Sequence, residues 1–320
     1  MRCVRVSGLI CLLCAIFAFG QGTKEGPAPD SSQSQIPPAF RVDVDLVLLN
    51  ATVTDSSNKY VTGLRQEDFR VWEDKIEQRV DYFSAENIPL SVGIVFDVSG
   101  SMGDKLATAR LAASTFLSMG DAEDEYFLIQ FNDSPQLVQD FTTDVTKLQS
   151  RLLFSRAKGS TSMYDALYLG LERLKHASNL RKALLLITDG EDNHSRYSLS
   201  DLKEFAKEHD VMIYSIGLVN GFAFDPLTGI DGRATLHNLS ELTGGVAFFP
   251  ESLNVLPDIC AQIGTDLKHQ YVLGYRPSNL SRDGRWRKIR VKINTPKGTP
   301  TLHVRAKSGY YASAIAKVIK

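Results

Sequence analysis

The chain has 320 residues, 43% of them apolar, enough to bury a sizeable core and too many for a disordered protein. A formal net charge of -1 excludes a global field that would gather nucleic acid or an anionic membrane.

At the amino terminus Arg2 and Arg5 precede an apolar run over residues 9–19, with Ala18 and Gly20 as small residues before a cleavage point. That is the pattern of a secretory signal peptide over residues 1–20. The run is shorter than the roughly 20 residues needed to cross a bilayer, so no membrane span is expected after cleavage. An exported protein follows, periplasmic or extracellular. Cys3, Cys11 and Cys14 fall inside this segment, which leaves Cys260 with no disulfide partner and a packing role on a predicted helix. Leu13 before Cys14 argues against a lipoprotein. Sequons occur at Asn50, Asn132, Asn193, Asn238 and Asn279, and bear weight only in a host that glycosylates exported chains.

Residues 21–39, rich in Gly, Pro, Ser and Gln, read as a disordered linker. A β segment is expected over 40–88. Within it Val42, Val44, Leu46 and Leu48 alternate with polar partners and run on as a long strand to residue 54, followed by short strands at 69–72 and 78–83 around a turn at 73–75. Residues 89–270 alternate strand and helix. Strands are expected at 90–97, 125–131, 183–188, 211–218, 245–249 and 270–275, and helices at 105–119, 145–154, 162–176, 200–209, 234–242 and 255–267. The alternation predicts an α/β fold with a doubly wound parallel sheet. Residues 271–311 return to β pattern, with 286–293 and 301–306 read as a hairpin, and 312–320 is a short tail. The economical arrangement pairs the two β segments as one small flanking β-sandwich.

The candidate site starts where the strand Leu-Ser-Val-Gly-Ile-Val-Phe-Asp97 ends in Asp97-Val-Ser99-Gly-Ser101. In an open parallel sheet ligands sit at the carboxyl ends of strands. One carboxylate and two hydroxyls at alternate positions suit a hard divalent cation, Mg²⁺ first, with Mn²⁺ or Ca²⁺ as alternatives. Thr161, ahead of a predicted helix, is a ligand or a helix cap, and Asp189 follows the apolar strand over 183–188. Asp165 in the first helical turn suits the helix dipole, and Asp192 and His194 read as solvated loop residues. The six histidines and Cys260 show no zinc spacing.

The set Asp97, Ser99, Ser101, Thr161 and Asp189, with Gly100 and Gly190 beside it, resembles the metal-ion-dependent adhesion site of the von Willebrand factor type A family, over roughly residues 90–267. The resemblance implies a Rossmann-like domain in which Ser99, Ser101 and Thr161 hold the metal directly or through water, while Asp97 and Asp189 often act through water. It also implies a partner protein whose carboxylate fills an open coordination position. Val44-Asp-Leu-Val-Leu-Leu-Asn50, Gly63-Leu-Arg-Gln-Glu-Asp-Phe69, Tyr271-Val-Leu-Gly-Tyr275 and Gly309-Tyr-Tyr311 resemble an exported bacterial group related to that family.

The expectation is therefore a metal-dependent protein-binding module and not an enzyme. One rival is a Mg²⁺-dependent hydrolase of the haloacid-dehalogenase type, against which Ser99 stands where that family has an acidic proton donor. A second rival is a structural envelope protein with a stabilising metal.

Overall fold

The computed structural model describes residues 46–189, 192–218, 232–294 and 301–312. The expected signal peptide and linker, and the tail beyond Ala312, lie outside the described residues. The chain begins with β1 (Val47–Thr54), β2 (Phe69–Glu73), β3 (Ile76–Gln78) and β4 (Val80–Ser84). An α/β block follows: β5 (Leu90–Asp97), α1 (Leu106–Ser118), β6 (Glu125–Phe131), β7 (Pro135–Thr142), α2 (Val145–Leu153), α3 (Met163–Leu174) and β8 (Arg181–Thr188). It continues with α4 (Leu199–Lys207), β9 (Met212–Gly217), α5 (Gly232–Thr243), β10 (Ala247–Phe248) and α6 (Leu256–Lys268). The chain then forms β11 (Gln270–Tyr275), β12 (Trp286–Ile293), β13 (His303–Arg305) and β14 (Gly309–Tyr311).

The central sheet has the order β10-β9-β8-β5-β6-β7. All its pairings are parallel except that of β7, which runs antiparallel to β6 at the edge. Every residue of β5 is buried, as its uninterrupted apolar sequence demands of a strand covered on both faces. One face packs under α1, α2 and α6 through Ala109, Phe116, Leu148, Cys260 and Ile263. The other packs under α3, α4 and α5 through Leu167, Leu171, Leu202, Leu236 and Leu239. The glycine in β5 is a packing requirement, because a Cβ at Gly93 would lie 2.2 Å from Phe127 Cζ and 2.6 Å from Leu184 Cδ2.

The flanking segments form two antiparallel sheets, β13-β1-β11-β4 and β14-β12-β2-β3. They share one core that includes Leu49, Ala51, Phe69, Val71, Tyr271, Leu273, Tyr275 and Ile289. This is the expected small sandwich, assembled from both ends of the chain. Within it the buried Glu73 carboxylate accepts the hydroxyls of Tyr275 at 2.8 Å and Tyr310 at 2.9 Å. Burial, with the carboxylate beside them, pushes both tyrosine hydroxyls up. The α/β block is inserted between β4 and β11, which pair with each other in register Ser84 to Val272.

The structure departs from expectation at three places. The segments at 286–293 and 301–306 are not a hairpin: β12 pairs with β14 and β2, and β13 pairs with β1 in the other sheet. Two strands with buried alternate residues serve opposite walls of a sandwich as readily as one hairpin. Secondly, the core face of β1 is Val47, Leu49, Ala51 and Val53, while Leu46 is 43% exposed and Leu48 half-buried. The run Leu46-Val-Leu-Leu49 is apolar at consecutive positions, so periodicity alone leaves the phase open. Thirdly, β7 has no counterpart among the expected strands. It starts at a proline, lies at the sheet edge and changes register twice against β6, so it carries no alternation to read.

Candidate metal centre

β5 delivers Asp97 to the carboxyl end of the sheet with no solvent exposure. Its Oδ1 accepts the Ser99 amide at 2.8 Å and its Oδ2 accepts the Thr188 hydroxyl, at the end of β8, at 2.6 Å. Burial nonetheless pushes the Asp97 carboxyl up to about 6, with these hydrogen bonds offsetting only part of the cost. A charged Asp97 is thus under-compensated by the protein alone.

Beyond Asp97 the chain makes one turn of 3₁₀ helix, Gly100–Met102, which turns the two serines toward each other. Ser99 Oγ and Ser101 Oγ are 3.1 Å apart, and the Ser101 hydroxyl donates to Asp189 Oδ1 at 3.0 Å. Lys105 Nζ reaches the other oxygen of Asp189 at 2.9 Å, with both side chains largely out of solvent. Asp97, Ser99, Ser101, Asp189 and Lys105 are therefore one continuous polar run spanning the ends of β5 and β8.

Thr161 lies on a third loop, bonded through its backbone to both others. The Gly100 amide donates to Gly159 O at 2.9 Å and the Lys158 amide to Val98 O at 2.9 Å. A Cβ at Gly100 would already stand 3.3 Å from that carbonyl. On the other side the Thr161 amide donates to Asn193 Oδ1 at 2.9 Å, and its carbonyl accepts the amides of Asn193 and His194 at 3.0 Å. Asp133, from the turn between β6 and β7, accepts the Ser160 amide at 2.7 Å. A Cβ on Gly159, whose φ is +79°, would come within 2.6 Å of this carboxylate, so the loop needs glycine there on two counts. Thr161 itself is buried.

The neighbouring acids do other work. Asp165, in the first turn of α3, accepts the amides of Arg196 and Tyr197 and pairs with Arg196 Nε at 3.1 Å, tying down the loop after β8. Asp192 is not a solvated loop residue, because it accepts the Tyr164 amide at 2.9 Å and both the amide and hydroxyl of Ser195, capping α3 from outside. His194 is exposed, as expected. Sequence reasoning passed over Lys105. Its signal was a cation just ahead of the first turn of α1, where the helix dipole disfavours it unless an anion is at hand.

The donor set fits a hard cation. Among the described residues no group of three or more His, Cys, Asp or Glu has metal-holding geometry, so any ion here would rely on serine and threonine oxygens beside two carboxylates. Oxygen donors of this kind suit a hard cation better than a soft one.

Comparison with known proteins bears on the α/β block first. Residues 92–191 match the von Willebrand factor type A domain family. Inter-alpha-trypsin inhibitor heavy chain H4 of Bos taurus is 27% identical over 166 residues, which is 45% of this chain and 18% of that protein. The chain thus spans less than a fifth of that relative. Among solved structures, a von Willebrand factor type A protein from Catenulispora acidiphila is 12% identical, with 87% of this chain and 76% of that one covered and a TM-score of 0.49. BatB from Bacteroides thetaiotaomicron is 18% identical, with 56% and 99% covered and a TM-score of 0.45. Domains of this type commonly mediate protein–protein interaction, and often bind a divalent metal. With five parallel strands, an antiparallel edge and helices on both faces, the α/β block of this chain is a von Willebrand factor type A domain.

Proposed function

We propose that this chain is an exported binding module, without catalytic activity, that engages an acidic side chain of a partner protein through a divalent cation, Mg²⁺ before Mn²⁺ or Ca²⁺. Asp97, Ser99, Ser101, Thr161 and Asp189 would hold it. When bound, the ion supplies positive charge and an oxygen-seeking position to an incoming carboxylate. The protein's own part is positional. Ser99 and Ser101 present hydroxyls, Asp97 pins the loop while contributing charge, and the loops bearing Thr161 and Asp189 are fastened to it by backbone and side-chain bonds. The observation that carries the reading is the hydrogen-bonded run from Asp97 through Ser99 and Ser101 to Asp189. Export is supported by the signal-peptide pattern of residues 1–20. Among the described residues no helix is long and apolar enough to cross a membrane. Against a phosphatase stands the side chain two positions after Asp97, a buried serine unable to exchange a proton as a carboxylic acid does.

A structural second reading draws on Lys105, whose ammonium already compensates Asp189. Mn²⁺ titration followed by electron paramagnetic resonance separates the two. Saturable binding to the wild type, lost in Asp97→Ala and Thr161→Ala, together with chelator-sensitive capture of an acidic peptide library, is the expected result. Mn²⁺ binding without peptide capture would leave a structural domain with a stabilising metal, and absence of Mn²⁺ binding to the folded wild type would overturn both readings.

A further inference from the structure

The net charge of the chain conceals a local one. β12 alternates between core and solvent: Arg287 and Ile289 are buried, whereas Lys288, Arg290 and Lys292 are all exposed on the opposite face. Successive outward positions on a strand are roughly 7 Å apart, so these cations form a ruled line along one wall of the sandwich. Next to it β2 contributes Arg70 opposite Lys292 and Trp72 opposite Arg290. The two-residue turn from β2 to β3 adds Lys75, with both Asp74 and Lys75 at positive φ.

The carboxylates nearby offset only part of this charge, Asp74 being one anion among four cations. Glu77 pairs with Arg70 at 2.8 Å, and Asp74 Oδ1 accepts the backbone amide of Lys288 at 2.9 Å. Among the described residues Lys75, Lys288, Arg290 and Lys292 have no ion-pair partner. The four cations, with Trp72 and Asp74, line a concave space of about 600 Å³. Trp72 is half-buried within its strand, and Lys292 Nζ stands 5.6 Å from the ring centroid.

We propose that this face of the sandwich binds an acidic polysaccharide, its carboxylate or sulfate groups meeting Lys288, Arg290, Lys292 and Lys75 and one sugar ring lying against Trp72. A regular row of cations matches a polymer with regularly repeated charges, and an indole face takes the C–H surface of a sugar by dispersion. A bilayer is a poorer fit, because the aromatic ring sits inside a strand rather than at a protruding tip. Single-stranded nucleic acid calls for successive stacking platforms, and this face has one. The surface uses none of the residues of the metal centre, so it stands or falls separately from the function proposed above.

The test uses the full chain with polygalacturonate and dextran sulfate, and with a DNA oligonucleotide and phosphatidylglycerol vesicles as competitors for the same face. Binding of one or both polysaccharides is expected, weakening as salt rises, unaffected by chelator, and accompanied by a change in tryptophan fluorescence that Trp72→Phe removes. The Lys288→Ala, Arg290→Ala, Lys292→Ala triple variant should bind about tenfold more weakly, and a control triple at Lys59, Lys147 and Arg151 within about twofold of wild type. All six positions are exposed, and thermal melts establish that each variant is folded. Equal loss in both triples, unchanged affinity in the first, or tighter binding of DNA or vesicles than of either polysaccharide would overturn the proposal.

Discussion

Asp97 is the most deeply buried carboxylate of the proposed metal centre, and its environment makes a signed prediction. Free aspartate titrates at 3.8, and burial pushes this carboxyl up to about 6. The folded chain therefore favours the protonated form. Its contribution to stability is complete below about pH 3.8 and is lost as pH rises through about 6, by roughly 3 kcal/mol in all. Urea unfolding of chelator-treated protein between pH 4 and 7 should show that decline, and Asp97→Asn should flatten it. Parallel pH profiles for the two proteins would refute the assignment. Lys105 makes the complementary prediction. Removing its ammonium in Lys105→Met leaves Asp189 uncompensated, so Mn²⁺ should bind about tenfold more tightly. Weaker binding would mean instead that the lysine holds Asp189 in place. The five proposed ligands could be named from the sequence because Asp97, Ser99, Ser101 and Asp189 follow apolar strands, Thr161 precedes a helix, and the set falls in a recognisable order. Lys105, Asp133 and Asn193 could not, since each acts through a bond to a residue remote in sequence.

At the level of elements, β5 shows how closely a sequence can constrain packing. Gly93 faces Phe127 from β6 and Leu184 from β8, and there is no room for a methyl group. Gly93→Ala should cost about 1–3 kcal/mol, read as a lower urea midpoint with an unchanged slope. No loss of stability would mean that the two side chains repack freely. The α/β elements were legible because buried parallel strands and amphipathic helices carry strong periodicities. The flanking strands were legible as strands but not in their pairing. β12 alternates clearly, yet nothing local says that its partners are β2, from the far end of the chain, and β14 rather than β13. Likewise Asp192 reads as surface until the amide of Tyr164 is seen against it.

For the whole molecule, Cys260 provides an internal reporter. It lies in the core under α1 with its thiol pushed up to about 12 by burial, so it should resist disulfide reagents at pH 8 until the α/β block opens. Its labelling rate in rising urea then measures block stability. Mg²⁺ at about a hundred times its dissociation constant should raise that stability by about 2.7 kcal/mol in the wild type and not in Asp97→Ala. Rapid labelling of Cys260 itself, in a chain begun at residue 21 and without denaturant, would contradict the buried position.

The pairing of β4 with β11 carries a consequence of its own. Chain enters the α/β block just after one of these strands and returns just before the other, so both ends of the block are clamped one strand spacing apart, about 4.8 Å. Any pull on the block is shared by two adjacent anchor points at the same end of an antiparallel pair, so both strands are drawn in the same direction and the load is divided between them. The same closeness makes the block a replaceable cassette: another domain with neighbouring termini could be spliced between Ser84 and Gln270 while the sandwich kept its own core.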